Sequence, residues 1–188
     1  MHKERVAEHF IKLNNGINMP MLGYGTLQIT NDQLCEQCIY EAIREGYRMF
    51  DTAAAYHNEE AVGNAISKCG VAREELFITT KLWVQDASYE GAKQAIETSL
   101  DKLGLEYIDL YLIHQPMGDY GAYRAMEEAY CDGKLKAIGV CNFYPERLVD
   151  LCLNVEVKPA VNQVELHPFF QQESALKVMK EYGVQPEA

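Results

Sequence analysis

Apolar and polar positions along this chain of 188 residues alternate between two periods. Short β-rich apolar runs, "RMFD", "LFITTK", "YIDLYLIH", "LKAIGV" and "AVNQVEL", are each followed by a stretch with apolar residues at helical spacing. Alternation of this kind predicts parallel strands joined by crossover helices, an α/β fold. From "MLGYGT" onward the strand-helix unit recurs roughly every 25 to 30 residues, close to the length of a βαβ repeat.

Start and stop signals bracket the helices. Thr30 with Gln33 reads as a capping box and Gly46 as a stop; Asn58 opens a second helix that Gly70 closes, and Ser88 a third that Gly104 closes. Ahead of these units, "FIKLNNGINMPML" sets Asn-Asn-Gly between two apolar runs, the turn chemistry of a β-hairpin that lies outside the barrel strands as a lid. A (β/α)8 TIM barrel takes about 250 residues. The chain supplies six units and reaches "YGVQPEA", where a seventh strand would be starting, so the expected fold is an incomplete barrel. With no Pro/Ser-rich linker, charge block or low-complexity segment, residues 1–188 read as one domain.

Charge and cysteine content narrow the partners. A formal net charge of -11 argues against nucleic acid and anionic membrane surfaces, since both need a basic face. No apolar run approaches the roughly 20 residues that cross a bilayer, and "MHKERVAEHF" lacks the apolar middle of a secretory signal. A cytoplasmic location is therefore expected, with the 6 cysteines reduced. Cys35 and Cys38 form a C-x-x-C one helical turn apart with no second pair at zinc spacing, so no metal site is indicated.

The strand runs share one feature: each closes on a polar residue that packing alone would not select. Asp51, Lys81, His114, Asn142 and Gln163 occupy these ends, which in a parallel barrel face one mouth, where active sites of this architecture lie. Taken singly, each has a bland account. Asp51 would cap a helix, Lys81 would snorkel at the surface, His114 would be a satisfied loop histidine, and Tyr56 an exposed loop aromatic. Together they suit proton donation by a phenol. Tyr56, with a reference pKa near 10, needs a cation beside it to act as a general acid, and Lys81 is expected to lower its pKa. Asp51 would keep Lys81 charged and oriented. A neutral His114 would hold a substrate carbonyl toward Tyr56. The chain has no G-x-S-x-G elbow or H-E-x-x-H motif, which leaves hydride from a nicotinamide as the natural nucleophile.

These residues carry a family resemblance. The segments "LNNGINMPMLGYGT", "GYRMFDTAAAYHNEEAVGNAI", "ELFITTKLW", "SLDKLGLEYIDLYLIHQP", "GKLKAIGVCNFYPERL" and "VNQVELHP" closely resemble the aldo-keto reductases. The likeness is to their bacterial short-loop branch and to diketogluconate reductases. It implies a catalytic tetrad of Asp51, Tyr56, Lys81 and His114, the residues reached above. It further implies that Asn142 and Gln163 bind the nicotinamide carboxamide, that Gly25 and Thr26 lie in a loop near the cofactor, and that Trp83 walls the substrate pocket. The implied activity is NADPH-dependent reduction of a small-molecule carbonyl substrate, an aldehyde or ketone, to the alcohol.

Three departures from the family pattern stand out. Cys141 replaces a common serine, "HQP" replaces "HWP" beside the histidine, and the chain stops before the stacking aromatic and the basic stretch that hold the rest of NADPH. Little activity and self-association through open strand edges are therefore expected of the 188-residue chain. Two rival readings remain at this point. One is a non-catalytic cofactor-sensing or binding subunit on the same scaffold, for which an intact tetrad would be unnecessary. The other is a non-redox barrel enzyme using Lys81 as a Schiff base.

Overall fold

The computed structural model describes residues 9–118 and 120–188. The reading of the first residues as lacking a secretory signal falls on positions 1–8, outside the described residues. Strands β1 (Phe10–Lys12) and β2 (Asn18–Pro20) form the antiparallel hairpin expected around Asn-Asn-Gly, with Ile11 opposite Met19. Gly16, at φ 91°, supplies the left-handed turn residue. Asn14 Nδ2 donates to the Pro159 carbonyl and Asn15 Nδ2 to that of Lys136, each at 2.9 Å. Those carbonyls precede barrel strands, so the hairpin closes the end of the barrel opposite its mouth.

Seven strands follow in one sheet, all parallel and in chain order: β3 (Gly23–Gly25), β4 (Met49–Asp51), β5 (Phe77–Leu82), β6 (Leu110–Ile113), β7 (Ile138–Cys141), β8 (Val161–Gln163) and β9 (Gln185–Glu187). Helices α1 (Asp32–Glu45), α2 (Glu59–Lys68), α3 (Tyr89–Leu103), α4 (Tyr120–Cys131), α5 (Pro145–Asn154) and α6 (Glu173–Tyr182) connect them. This is a curled, incomplete (β/α)8 barrel. Two expectations are corrected here. "VQPE" already forms a seventh strand, so the open edges are β3 and β9 and the sixth strand is paired on both sides. The cap of α1 is Asn31, whose Oδ1 accepts from Leu34 N at 2.9 Å, because Asn31 rather than Thr30 lies three residues before a free N–H. Gly46 at φ 102° and Gly104 at φ 63° end their helices as expected; α2 stops at Lys68, shortly before Gly70. Among the described residues, no helix is long and apolar enough to cross a membrane.

Strand alternation divides the core into two and thereby builds the mouth. Phe50, Ile78, Tyr111, Ile113 and Val140 pack outward against the helices. Met49, Phe77, Leu110, Leu112 and Val161 fill the interior together with Leu13 and Met19 of the hairpin. Two residues beyond Met49 on the same face comes Asp51; the same step leads from Leu112 to His114 and from Val161 to Gln163. Apolar residues thus floor the barrel and polar ones crown it.

Candidate active site

Lys81 is fully buried at the end of β5, and its ammonium has three protons and three acceptors. Nζ donates to Asp51 Oδ1, to the Thr52 carbonyl at 3.0 Å and to Tyr56 Oη at 3.4 Å. Burial is the largest single effect and works against the charge, but the Asp51 carboxylate, Tyr56 and Cys141 together outweigh it and hold the Lys81 pKa above its usual value. Because Oη accepts a hydrogen bond from Lys81, the phenol's own O–H must point elsewhere.

Tyr56 sits on a 3-10 turn, Ala54–Tyr56, closed by His57 in the left-handed region at φ 57°. Lys81 acts to lower the phenol's pKa, as expected, yet the net shift is upward. Desolvation of the phenolate is the larger effect, and Lys81 only partly offsets it, since that ammonium is already shared with Asp51. The His114 ring meets the Tyr56 ring edge-on at 5.6 Å and the Trp83 ring at 5.2 Å. Burial first, and Lys81 second, push its pKa down to about 4, so the imidazole is neutral near neutral pH. His114 Nδ1 is buried without a partner among the described residues.

Asn142 follows β7 in the left-handed region at φ 60°, a conformation asparagine tolerates better than most residues. Its N–H donates to the Gln163 carbonyl at 2.9 Å and Nδ2 donates to the His114 carbonyl at 3.2 Å. Gln163 Nε2 donates to Asp51 Oδ2 at 3.0 Å and to Glu187 Oε1 at 2.9 Å. Thr26 is buried behind this row and donates Oγ1 to the Asp51 carbonyl at 3.0 Å. Gly25 pairs with Asp51, and a Cβ built on it would meet nothing within 4 Å. A cavity of about 540 Å³ between the edge strands is lined by Gly25, Asp51, Tyr56, Gln163 and Glu187 among others.

Of the site residues singled out in the sequence, Gly25, Asp51, Tyr56 and Gln163 line this cavity, Lys81 and His114 lie against Tyr56, Asn142 joins Gln163 to His114, and Thr26 braces the row from behind. Trp83 touches His114 but lines a second cavity of about 510 Å³ with Ala54, His57 and Gln85. Two contributors were missed. Buried Asn58, read only as a helix start, does not cap with its side chain. Its Nδ2 donates to the carbonyls of Thr26 at 3.0 Å and Ile29 at 3.1 Å, and its Oδ1 accepts from Thr52 Oγ1 at 2.7 Å. Glu187 repeats the pattern of a strand closing on a polar residue, a signal present in "VQPE" but passed over.

Residues 21–187 match the model of the Aldo/keto reductase family. The chain belongs to that family. To the glyoxal reductase of Bacillus subtilis (strain 168) this aldo/keto reductase chain is 48% identical over 180 residues, covering 95% of itself and 65% of that protein. It thus spans just under two thirds of that relative's length. A solved aldo/keto reductase from Brucella melitensis superposes with a TM-score of 0.93 at 44% identity, covering 96% of this chain and 71% of that one. A Bombyx mori aldo-keto reductase solved in complex with NADP gives 0.91 at 36% identity, covering 96% and 65%.

The aldo/keto reductase mouth fits the amide end of a nicotinamide. A carboxamide needs acceptors for its NH₂ group. Asn142 Oδ1 has no hydrogen-bond partner among the described residues, and Gln163 Oε1 has only the Cys141 thiol at 3.8 Å. The bare backbone at Gly25 leaves room for close approach.

Proposed function

We propose that the chain carries the reacting face of an NADPH-dependent reductase that converts aldehydes or ketones to alcohols, with Tyr56 as the proton donor. The observation that carries this reading is the Lys81 ammonium. Its acceptors are a carboxylate, a backbone carbonyl and the Tyr56 phenol, and only the phenol has a proton to give.

When bound, a reduced nicotinamide supplies a hydride to the substrate's carbonyl carbon and is itself oxidised. The remaining work falls to the chain. As charge gathers on the carbonyl oxygen, the Tyr56 O–H bond breaks and its proton forms the O–H bond of the alcohol. Lys81 stabilises the phenolate left behind, and Asp51 holds Lys81 in place. Neutral His114 offers an N–H to the substrate oxygen and keeps it within reach of Tyr56, while Trp83 bounds the pocket on the far side of that ring. Asn142, Gln163 and Gly25 hold the nicotinamide end, with Thr26 behind them.

A Schiff-base role for Lys81 is disfavoured, because such a lysine needs a lowered pKa and Lys81 is shifted the other way. The name of the Bacillus subtilis relative makes glyoxal a reasonable first substrate. The test uses a form of the chain extended to a closed barrel, by a helix after β9, an eighth barrel strand and its helix, and given NADPH deuterated at the transferring carbon. The expected product is an alcohol with deuterium on the former carbonyl carbon. No consumption of NADPH with any aldehyde, or an unlabelled product, would overturn the reading.

A further inference from the structure

Gln163 is the one member of the proposed amide pocket whose orientation is fixed by charge. Its Nε2 has two hydrogens, and both go to carboxylates, Asp51 Oδ2 on β4 and Glu187 Oε1 on β9. With the amide turned over, Oε1 would face the Asp51 carboxylate, and the Glu187 oxygen as well whenever Glu187 is ionised, so the orientation with Nε2 toward the pair is favoured. Asp51 alone would hold one hydrogen and leave the amide free to swing about that single bond. The Glu187 carboxylate supplies the second point of attachment.

We propose that Glu187 is a positioning residue for Gln163, locking its amide so that Oε1 is presented to the nicotinamide carboxamide as an acceptor. The proposal rests on the reading of the site given above. It extends the row of bonded groups at the mouth to Glu187, Gln163, Asp51, Lys81 and Tyr56, carried by four strands and a turn. Glu187 Oε2 is buried without a partner among the described residues, so this carboxylate has one acceptor spent on Gln163 and one unspent. The charged and titratable groups around it are Asp51 of β4, Lys81 of β5, Cys141 of β7 and Tyr56 of the turn.

The test has two readouts on the 188-residue chain. The first needs no cofactor: the side-chain NH₂ resonances of Gln163, assigned by their loss in Gln163→Leu. In the parent they should be well resolved and move with the titration of Glu187. Glu187→Gln keeps an acceptor and should leave them resolved but flat with pH, whereas Glu187→Ala should collapse them toward solvent-exposed positions. The second readout is NADP⁺ affinity, followed through quenching of Trp83, the single tryptophan. Glu187→Ala should weaken it about tenfold, the value of roughly one well-placed hydrogen bond, and should cost nothing further in a Gln163→Ala background. Gln163 resonances indifferent to Glu187→Ala, or an equal loss of affinity with and without Gln163, would overturn the proposal. NADP⁺ binding undiminished in Gln163→Ala, with the Gln163 response to Glu187→Ala intact, would instead remove the nicotinamide reading and leave the coupling of Glu187 to Gln163 standing.

Discussion

Replacing Lys81 by methionine separates the structural role of the ammonium from its chemical one. Methionine has similar length and no charge, so the interior stays filled while three donated bonds disappear. Tyr56 Oη is half-buried and can turn to water, and the Thr52 carbonyl loses one partner. The dominant cost is Asp51, whose side chain is only 14% exposed and keeps just the Gln163 bond as a counterweight to its charge. Removing one partner of a buried pair costs about 3 to 5 kcal/mol, a large share of the roughly 5 to 15 kcal/mol that holds a typical domain. Urea unfolding followed by circular dichroism should give a loss of that size for Lys81→Met. The double variant Lys81→Met with Asp51→Asn should recover most of it, because the stranded charge is then gone. A single-variant loss below about 1 kcal/mol, or no recovery in the double variant, would refute the argument that Asp51 depends on Lys81.

Glu187 gives a pH signature of the opposite kind. Burial, and secondarily Asp51, raise its pKa from 4.5 to about 7, so folding is favoured by its protonated form and that advantage is lost as pH rises through this window. Glu187→Gln should therefore be more stable than the parent by about 3 kcal/mol above neutrality and equal to it near pH 4; a difference that ignores pH would contradict the burial of this group. The unpaired backbone edges of β3 and β9 should make the 188-residue chain self-associate, and light scattering that shows a stable compact monomer would count against this. Titrated with NADPH, the chain should bind more weakly than micromolar, because the contacts proposed among the described residues are at the nicotinamide end and a net charge of -11 repels the phosphates. Micromolar or tighter binding would mean that a phosphate site lies within these residues.

Much of the site was legible because a barrel strand announces its mouth. An apolar run that stops on Asp51, Lys81, His114 or Gln163 has no packing reason to do so, and each of these residues stands where its strand end predicted. The hairpin was equally plain in Asn-Asn-Gly. What escaped depended on partners distant in sequence. β9 is three residues long and contains Pro186, which reads as a break; as an edge strand it has one side where the missing N–H is not needed. Asn58 stands where a cap belongs, yet its amide serves loops 29 and 32 residues away, a choice made by burial and invisible to local pattern. The sign of the Tyr56 shift likewise turned on how far the phenol is desolvated, which no spacing encodes.

The central claim is that the Tyr56 phenol, set against Lys81, gives the proton in carbonyl reduction. Its most direct test is Tyr56→Phe in the form extended to a closed barrel, by a helix after β9, an eighth strand and its helix, assayed by consumption of NADPH with an aldehyde and, separately, by NADPH binding. Phenylalanine removes the donor and keeps the ring, so turnover should fall on the order of 10²- to 10⁴-fold while NADPH affinity is retained. Turnover near the parental rate would contradict the account.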